Sequence, residues 1–205
     1  MVSILALWLP IVVAAVIVFL ASSFLHMVLP YHQGDYARLP NEADVMEAMR
    51  KAGVKPGDYM MPHAGSMAAL KDAAYLEKYA KGPVGAMTIM PSGTPAMGAQ
   101  LVQWFVYCLV VGLFAAYIAG RALGPGAHYL AVFRFAGATA FVGYSLALWQ
   151  DSIWYKKKVG TTIKNTFDGL IYGLLTGGTF GWLWPNSPAY CPALRTSPRG
   201  STVAQ

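Results

Sequence analysis

Residues 167–184 read FDGLIYGLLTGGTFGWLW. Gly169, Gly173, Gly177 and Gly181 recur at every fourth position. On a helix with about 3.6 residues per turn, they form one nearly smooth stripe. In water such a helix is a poor one, because each interior glycine costs roughly 1 kcal/mol relative to alanine. In a bilayer the stripe has a use. No hydrophobic force drives helices together there, and small residues let two backbones approach until dispersion contacts hold them. The stripe therefore predicts a membrane helix packed backbone to backbone. Its natural mate is the preceding apolar run, where Gly137, Ala138, Ala140 and Gly143 make a second small-residue surface. A partner subunit or a second copy of the chain is the competing mate.

Composition agrees with a membrane protein. Hydrophobic residues make up 56% of the chain and charged residues 12%, where a soluble domain carries about 25% charged residues. The mean hydropathy is +0.44. Apolar residues cluster in four runs: Ile4 to Phe24, Leu101 to Leu123, Tyr129 to Trp149 and Phe167 to Trp184. Each is near the roughly 20 residues that cross a hydrocarbon core. The fourth is short and is interrupted by Asp168, so a buried or re-entrant helix is its alternative reading. No Lys or Arg precedes the first run, which is longer than a secretory signal core and is expected to be a retained span.

The fold class that follows is all-α and integral to the membrane, a four-transmembrane-helix bundle with a small cap between spans one and two. The expected organisation is span one over 1–24, a cap segment over 25–98, and spans two, three and four over 99–123, 128–150 and 161–184. A Pro-rich tail over 185–205 completes it. Gly124-Pro125-Gly126 makes spans two and three an antiparallel hairpin. Within the cap, Asn41 precedes the acidic first turn of a helix ended by Gly53, and Ser66 precedes a helix from Met67 to about Tyr79. Asp58 to Met61 and Val84 to Met90 are extended candidates that could pair antiparallel.

Charge sets the expected orientation. Lys156, Lys157 and Lys158 follow Trp149, Trp154 and Tyr155, the pattern of an interfacial aromatic belt and a basic anchor. With Lys164 and the basic residues of the cap segment, they predict a cytoplasmic cap and 151–164 loop. Both termini then face outward, in a cell membrane of the bacterial inner-membrane kind. The basic residues form no groove-sized patch with aromatic platforms, so nucleic acid is excluded as a partner. Expected partners are membrane lipids and a protein partner or second copy. Cys108 and Cys191 match no disulfide framework, zinc or redox spacing.

Three groups of residues are candidates for chemistry. His26, His32 and His63 lie on the cap side, where imidazoles could gather round a metal with Asp35 or Glu42 as an oxygen ligand. The plainer reading makes His26 interfacial and the other two hydrogen-bonding loop residues, with no cofactor. Met60, Met61, Met87, Met90 and Met97 suit a soft ion such as Cu(I), or simply fill a small irregular core. Arg134 and Asp168 lie inside spans, where an ionisable group is costly and points to function. They enter from opposite faces. The plainer reading has Arg134 snorkelling outward, and Asp168 meeting Lys164 or Gln103.

No glycine-rich phosphate loop, His-Glu-x-x-His or nucleophile elbow is present. The leading expectation is a non-catalytic accessory or structural subunit that packs on a partner complex and lipid. The alternatives are a small-solute or proton carrier using Arg134 and Asp168, and a metal-dependent membrane enzyme using His26, His32 and His63.

Overall fold

The computed structural model describes residues 1–186, so most of the tail expected over 185–205, with Cys191, lies outside the described residues. The chain is mostly helical. A 3₁₀ turn over Ile4–Leu7 runs into α1 (Trp8–Met27), and a single 3₁₀ turn, Pro30–His32, follows. The cap contains α2 (Glu42–Lys51), β1 (Gly57–Met61), α3 (Ala73–Lys81) and β2 (Gly85–Ile89). Then come α4 (Gly98–Ala122), α5 (Tyr129–Phe141), a π turn over Val142–Leu146, α6 (Leu148–Trp154) and α7 (Val159–Trp182).

Three segments are long and apolar enough to cross a membrane: Ile4–Met27, Gly98–Ala122 and Tyr129–Trp154. With 24 residues, α7 matches them in length but not in apolarity. The physical reason is its composition. Glycine and threonine contribute little hydropathy, and Lys164 and Asp168 subtract from it. The residues that let α7 lie close to a neighbour are those that keep it from reading as a span.

α7 lies along α5 through the glycine stripe. A Cβ added at Gly173 would come within 3.0 Å of the Gly137 carbonyl oxygen and of Phe141 Cβ. One added at Gly177 would sit 2.7 Å from the Phe133 carbonyl oxygen and 3.0 Å from Gly137 Cα. At Gly181 the obstacle is the Tyr129 ring, at 2.6 Å, and at Gly169 it is the side chains of Ser145 and Tyr144. Ala140 is buried among Val18, Cys108, Tyr144 and Tyr172. Thr176 and Thr179 spend their hydroxyls on the carbonyls of Tyr172 and Leu175, one turn back, so neither threonine hydroxyl is left orphaned.

The interior divides lengthwise. Toward the hairpin end, Leu7, Ile11 and Ala14 of the N-terminal helix meet Ala115, Ala116 and Ala119 of α4, with Val132 and Phe180. Toward the cap end the core turns aromatic, with Tyr144 and Tyr172 around Cys108. Backbone bonds from Val2 to Gly120 (2.8 Å) and from Gly126 to Pro185 (2.8 Å) hold residues 1–3 and 183–186 at the hairpin end. The outer faces of α1 and α4 expose Leu20, Phe24, Val102 and Phe114, as lipid-facing helices do.

The cap departs from expectation in two ways. First, α3 starts at Ala73, and the predicted helix from Met67 is broken. Ser66 caps only a short 3₁₀ turn, Ala69–Lys71, and Asp72 is extended (ψ 132°) with its carboxylate accepting from Ala74 N at 3.0 Å. Aspartate stabilises a helix start better than an interior, so it restarts the helix. Second, the cap has no buried core, because no residue from 28 to 98 is buried. The two strands pair antiparallel, Tyr59 opposite Met87, with Met60 and Met61 still exposed.

Candidate functional site

Asp168 is the most buried charged residue described, 2% exposed. It sits on α7 facing the turn that follows α1. Pro30 suits the first position of that turn, since its fixed φ is already helical. The turn carries Tyr31 and His32 back against α7. The Tyr31 hydroxyl donates to one Asp168 oxygen. His32 Nε2 lies 2.8 Å from the other, and His26 Nε2 lies 3.9 Å from that same oxygen.

The opposite nitrogens are also held. His32 Nδ1 lies 2.6 Å from Asp35 Oδ2, and His26 Nδ1 lies 3.1 Å from the Ser22 carbonyl oxygen. Lys164, one turn before Asp168 on α7, donates to Asp35 Oδ1 at 2.8 Å and to the Tyr31 carbonyl. Thr161 adds a bond to Asp35 at 3.3 Å. The bonds to Lys164 and then His32 hold the Asp35 carboxyl down at about 2, well below its usual range. An imidazole facing a carboxylate at each nitrogen donates to both only as the imidazolium.

The sequence expected Lys164 or Gln103 beside Asp168. Lys164 turns instead to Asp35, and Gln103 is exposed and is not among Asp168's partners. Arg134 is exposed on α5 and makes no ion pair among the described residues. His63 is exposed in the loop after β1 and stands outside the cluster. Lys157 pairs with Asp151 at 2.6 Å, and Lys158 reaches the Gly34 carbonyl at 3.4 Å. The basic loop therefore clasps its own chain as well as facing outward.

His26, His32 and Asp168 offer ligand atoms within 4.8 Å of one another, which is a donor set suited to zinc. The ring geometry works against it. The two imidazoles stack, with centroids 4.4 Å apart and planes 10° from parallel. An ion bound through both Nε2 lone pairs must lie in both ring planes, and stacked, nearly parallel planes do not meet at such a point. As the rings stand, the cluster is a hydrogen-bonded network and not a closed coordination shell.

Beside Asp168 a cleft of about 440 Å³ opens between α1, α4, the π turn and α7. The π turn swings Tyr144 toward it, and the carbonyl of Gly143 is taken up by the Tyr107 hydroxyl at 2.6 Å. Trp104 crosses from α4 and donates to Ser22 Oγ at 2.7 Å. Tyr172 also lines the cleft, and its hydroxyl is buried without a partner among the described residues.

Sequence reasoning found His26, His32 and Asp168 separately and named Asp35 only as a metal ligand. It missed Tyr31, Trp104 and Tyr172 as parts of the site. One signal was available: His32 and Asp35 are three residues apart, Lys164 and Asp168 four apart, and the two pairs are complementary in charge.

Bundle and cluster together define a helical protein with three helices fit to cross a membrane and a charged, hydrogen-bonded cluster at one end. No protein-family profile matches the chain, and comparison with curated proteins and with solved structures finds no match either.

Proposed function

We propose that the chain is an integral membrane protein that moves protons through Asp168, His32 and Asp35. One observation carries this reading: His32 is held between two carboxylates, one on the wall of a cleft and one beside the basic loop. Imidazole can accept a proton at one nitrogen and release another from the opposite nitrogen. Neutral His32, its Nδ1–H directed to Asp35, takes at Nε2 the proton carried by Asp168 as its Nδ1 proton leaves toward Asp35. Asp35, held at low pKa by Lys164 and His32, does not retain the proton and passes it to water beside the 151–164 loop.

In this reading α7 is the fourth crossing. Its glycine face lies on α5, and its outward positions Leu170, Leu174 and Trp182 are apolar and exposed. The lysines of the 151–164 loop support a cytoplasmic cap end. The test is proton flux into vesicles containing the purified protein, driven by a potassium diffusion potential and read by an internal pH dye. The wild type should exceed protein-free vesicles, and Asp168→Asn and His32→Gln should each lower the flux at least about tenfold, the lower range for losing a positioned proton-transfer group. Wild-type flux no faster than empty vesicles, or unchanged flux in Asp168→Asn, would refute the relay.

A second reading, the accessory subunit, is favoured by the coreless cap. No apolar residue from 28 to 98 is buried, and Met46, Met60, Met67, Leu76 and Met90 are exposed, more apolar surface than a free soluble segment usually shows. A partner seated there should co-purify in stoichiometric amount and be lost in a Met60→Glu, Met90→Glu variant. Purification as a single species from mild detergent would count against it.

A further inference from the structure

We propose that the cleft beside Asp168 binds a membrane-soluble hydroquinone, with one ring hydroxyl on Asp168 and the other on Tyr172. The proposal rests on the reading of Asp168 as a proton acceptor, and it names what that acceptor faces.

Four observations select this class of ligand. The first is spacing. Asp168 and Tyr172 are one turn apart on α7, share one face and both line the cleft, so one ligand can meet both. The second is the walls. Trp104 and Tyr144 line the cleft, and flat aromatic surfaces pack a planar ring well. The third is the exit. Met27, Met97 and Leu101 line the same cleft and are exposed, so an apolar chain attached to the ring can leave into lipid.

The fourth is charge and size. Among the described residues no Lys or Arg lines the cleft, so a phosphate headgroup would meet a carboxylate with no cation there to neutralise it. A volume of about 440 Å³ takes a ring and the start of a chain, not a diacyl lipid. The donor pattern then distinguishes the two redox forms. At Asp168 a hydroquinone donates to the carboxylate, whereas a quinone carries only acceptors and makes no hydrogen bond to it. The Tyr172 hydroxyl, without a partner among the described residues, donates to the second ring oxygen.

Binding is tested on the full chain in lipid nanodiscs, by quenching of tryptophan fluorescence. The probes are a decyl-substituted benzohydroquinone, its oxidised form, 1-decanol as a tail-only control, and decyltrimethylammonium. The hydroquinone should saturate at one per chain and bind at least about tenfold more tightly than the quinone, the factor for one hydrogen bond to a charged group. Asp168→Asn should weaken the hydroquinone by a similar factor and leave the quinone unchanged. Tyr172→Phe should weaken both forms.

Should Asp168→Asn disturb folding, Leu101→Trp provides a second route. It fills the cleft mouth without touching the cluster, and should abolish binding at unchanged Tm. Equal affinity for both redox forms, competition by decanol at equal concentration, tighter binding of the ammonium probe, or full binding by Leu101→Trp would each overturn the proposal. Proton flux without hydroquinone binding removes this inference alone, and binding without flux removes the relay alone.

Discussion

Leucine at position 177 is expected to unseat α7 from α5 and to lower Tm by roughly 5–10 °C, or to prevent folding. The first atom of the new side chain would lie 2.7 Å from the Phe133 carbonyl oxygen, 3.0 Å from Gly137 Cα and 3.1 Å from Phe133 Cδ2. Two of these are backbone atoms, which cannot rotate away. The helices must separate along their length, and all the dispersion contacts of the stripe weaken together. Gly178 supplies the control. Its added Cβ would meet only the Tyr129 hydroxyl, at 3.6 Å, an ordinary contact. Gly178→Ala should therefore be neutral, or stabilising by up to about 1 kcal/mol through helix propensity. Thermal melts of the two variants in one detergent make the comparison. If Gly177→Leu melts like the wild type but an oligomer is lost, the stripe serves a second chain and not α5.

Replacing Asp168 with leucine should have an effect of similar size by a different route. The carboxylate holds Tyr31 and His32 together and has His26 3.9 Å away. Without it, the Tyr31 hydroxyl and one His32 nitrogen lose their partners, and His32 faces only Asp35. Removing one member of a buried charge pair costs roughly 3–5 kcal/mol. The loss should be local. Residues 29–36 are fastened to α7 by Asp168 and by Lys164 through Asp35, so they should exchange amide hydrogens faster while α5 and the second half of α7 stay protected. Asp168→Asn keeps an acceptor oxygen for Tyr31 and should cost less. Unchanged exchange at 29–36 in the leucine variant would mean that Lys164 and Asp35 suffice to hold the turn.

The helices were legible because their signals are local. Four apolar runs, the Gly-Pro-Gly turn and the Asn41-led helix each depend on neighbours within a few residues. α2 begins at Glu42, as its acidic first turn predicts. The two strands were also readable, because Gly-flanked runs of Met, Tyr and Val stand out between turns. The break at Asp72 was missed because good helix formers surround it, and only the competition between capping and interior positions shows where the helix restarts.

Hydropathy, spacing and charge along the chain determined by themselves that this is a helical protein with segments long and apolar enough to cross a membrane. They also determined that its last helix carries one smooth face. Only the tertiary structure decided the site. Asp168 is 136 positions from His32 and 82 positions separate Trp104 from Ser22, so no window of sequence contains a pair. Which charge meets which is set by how α1 ends, by the turn at Pro30, and by the close seating of α7 on α5. A partner for a buried charge is chosen by three-dimensional distance and by the low dielectric around it. The order of residues along the chain records neither quantity, and for that reason Lys164 next to Asp168 in sequence is bound to Asp35 in space.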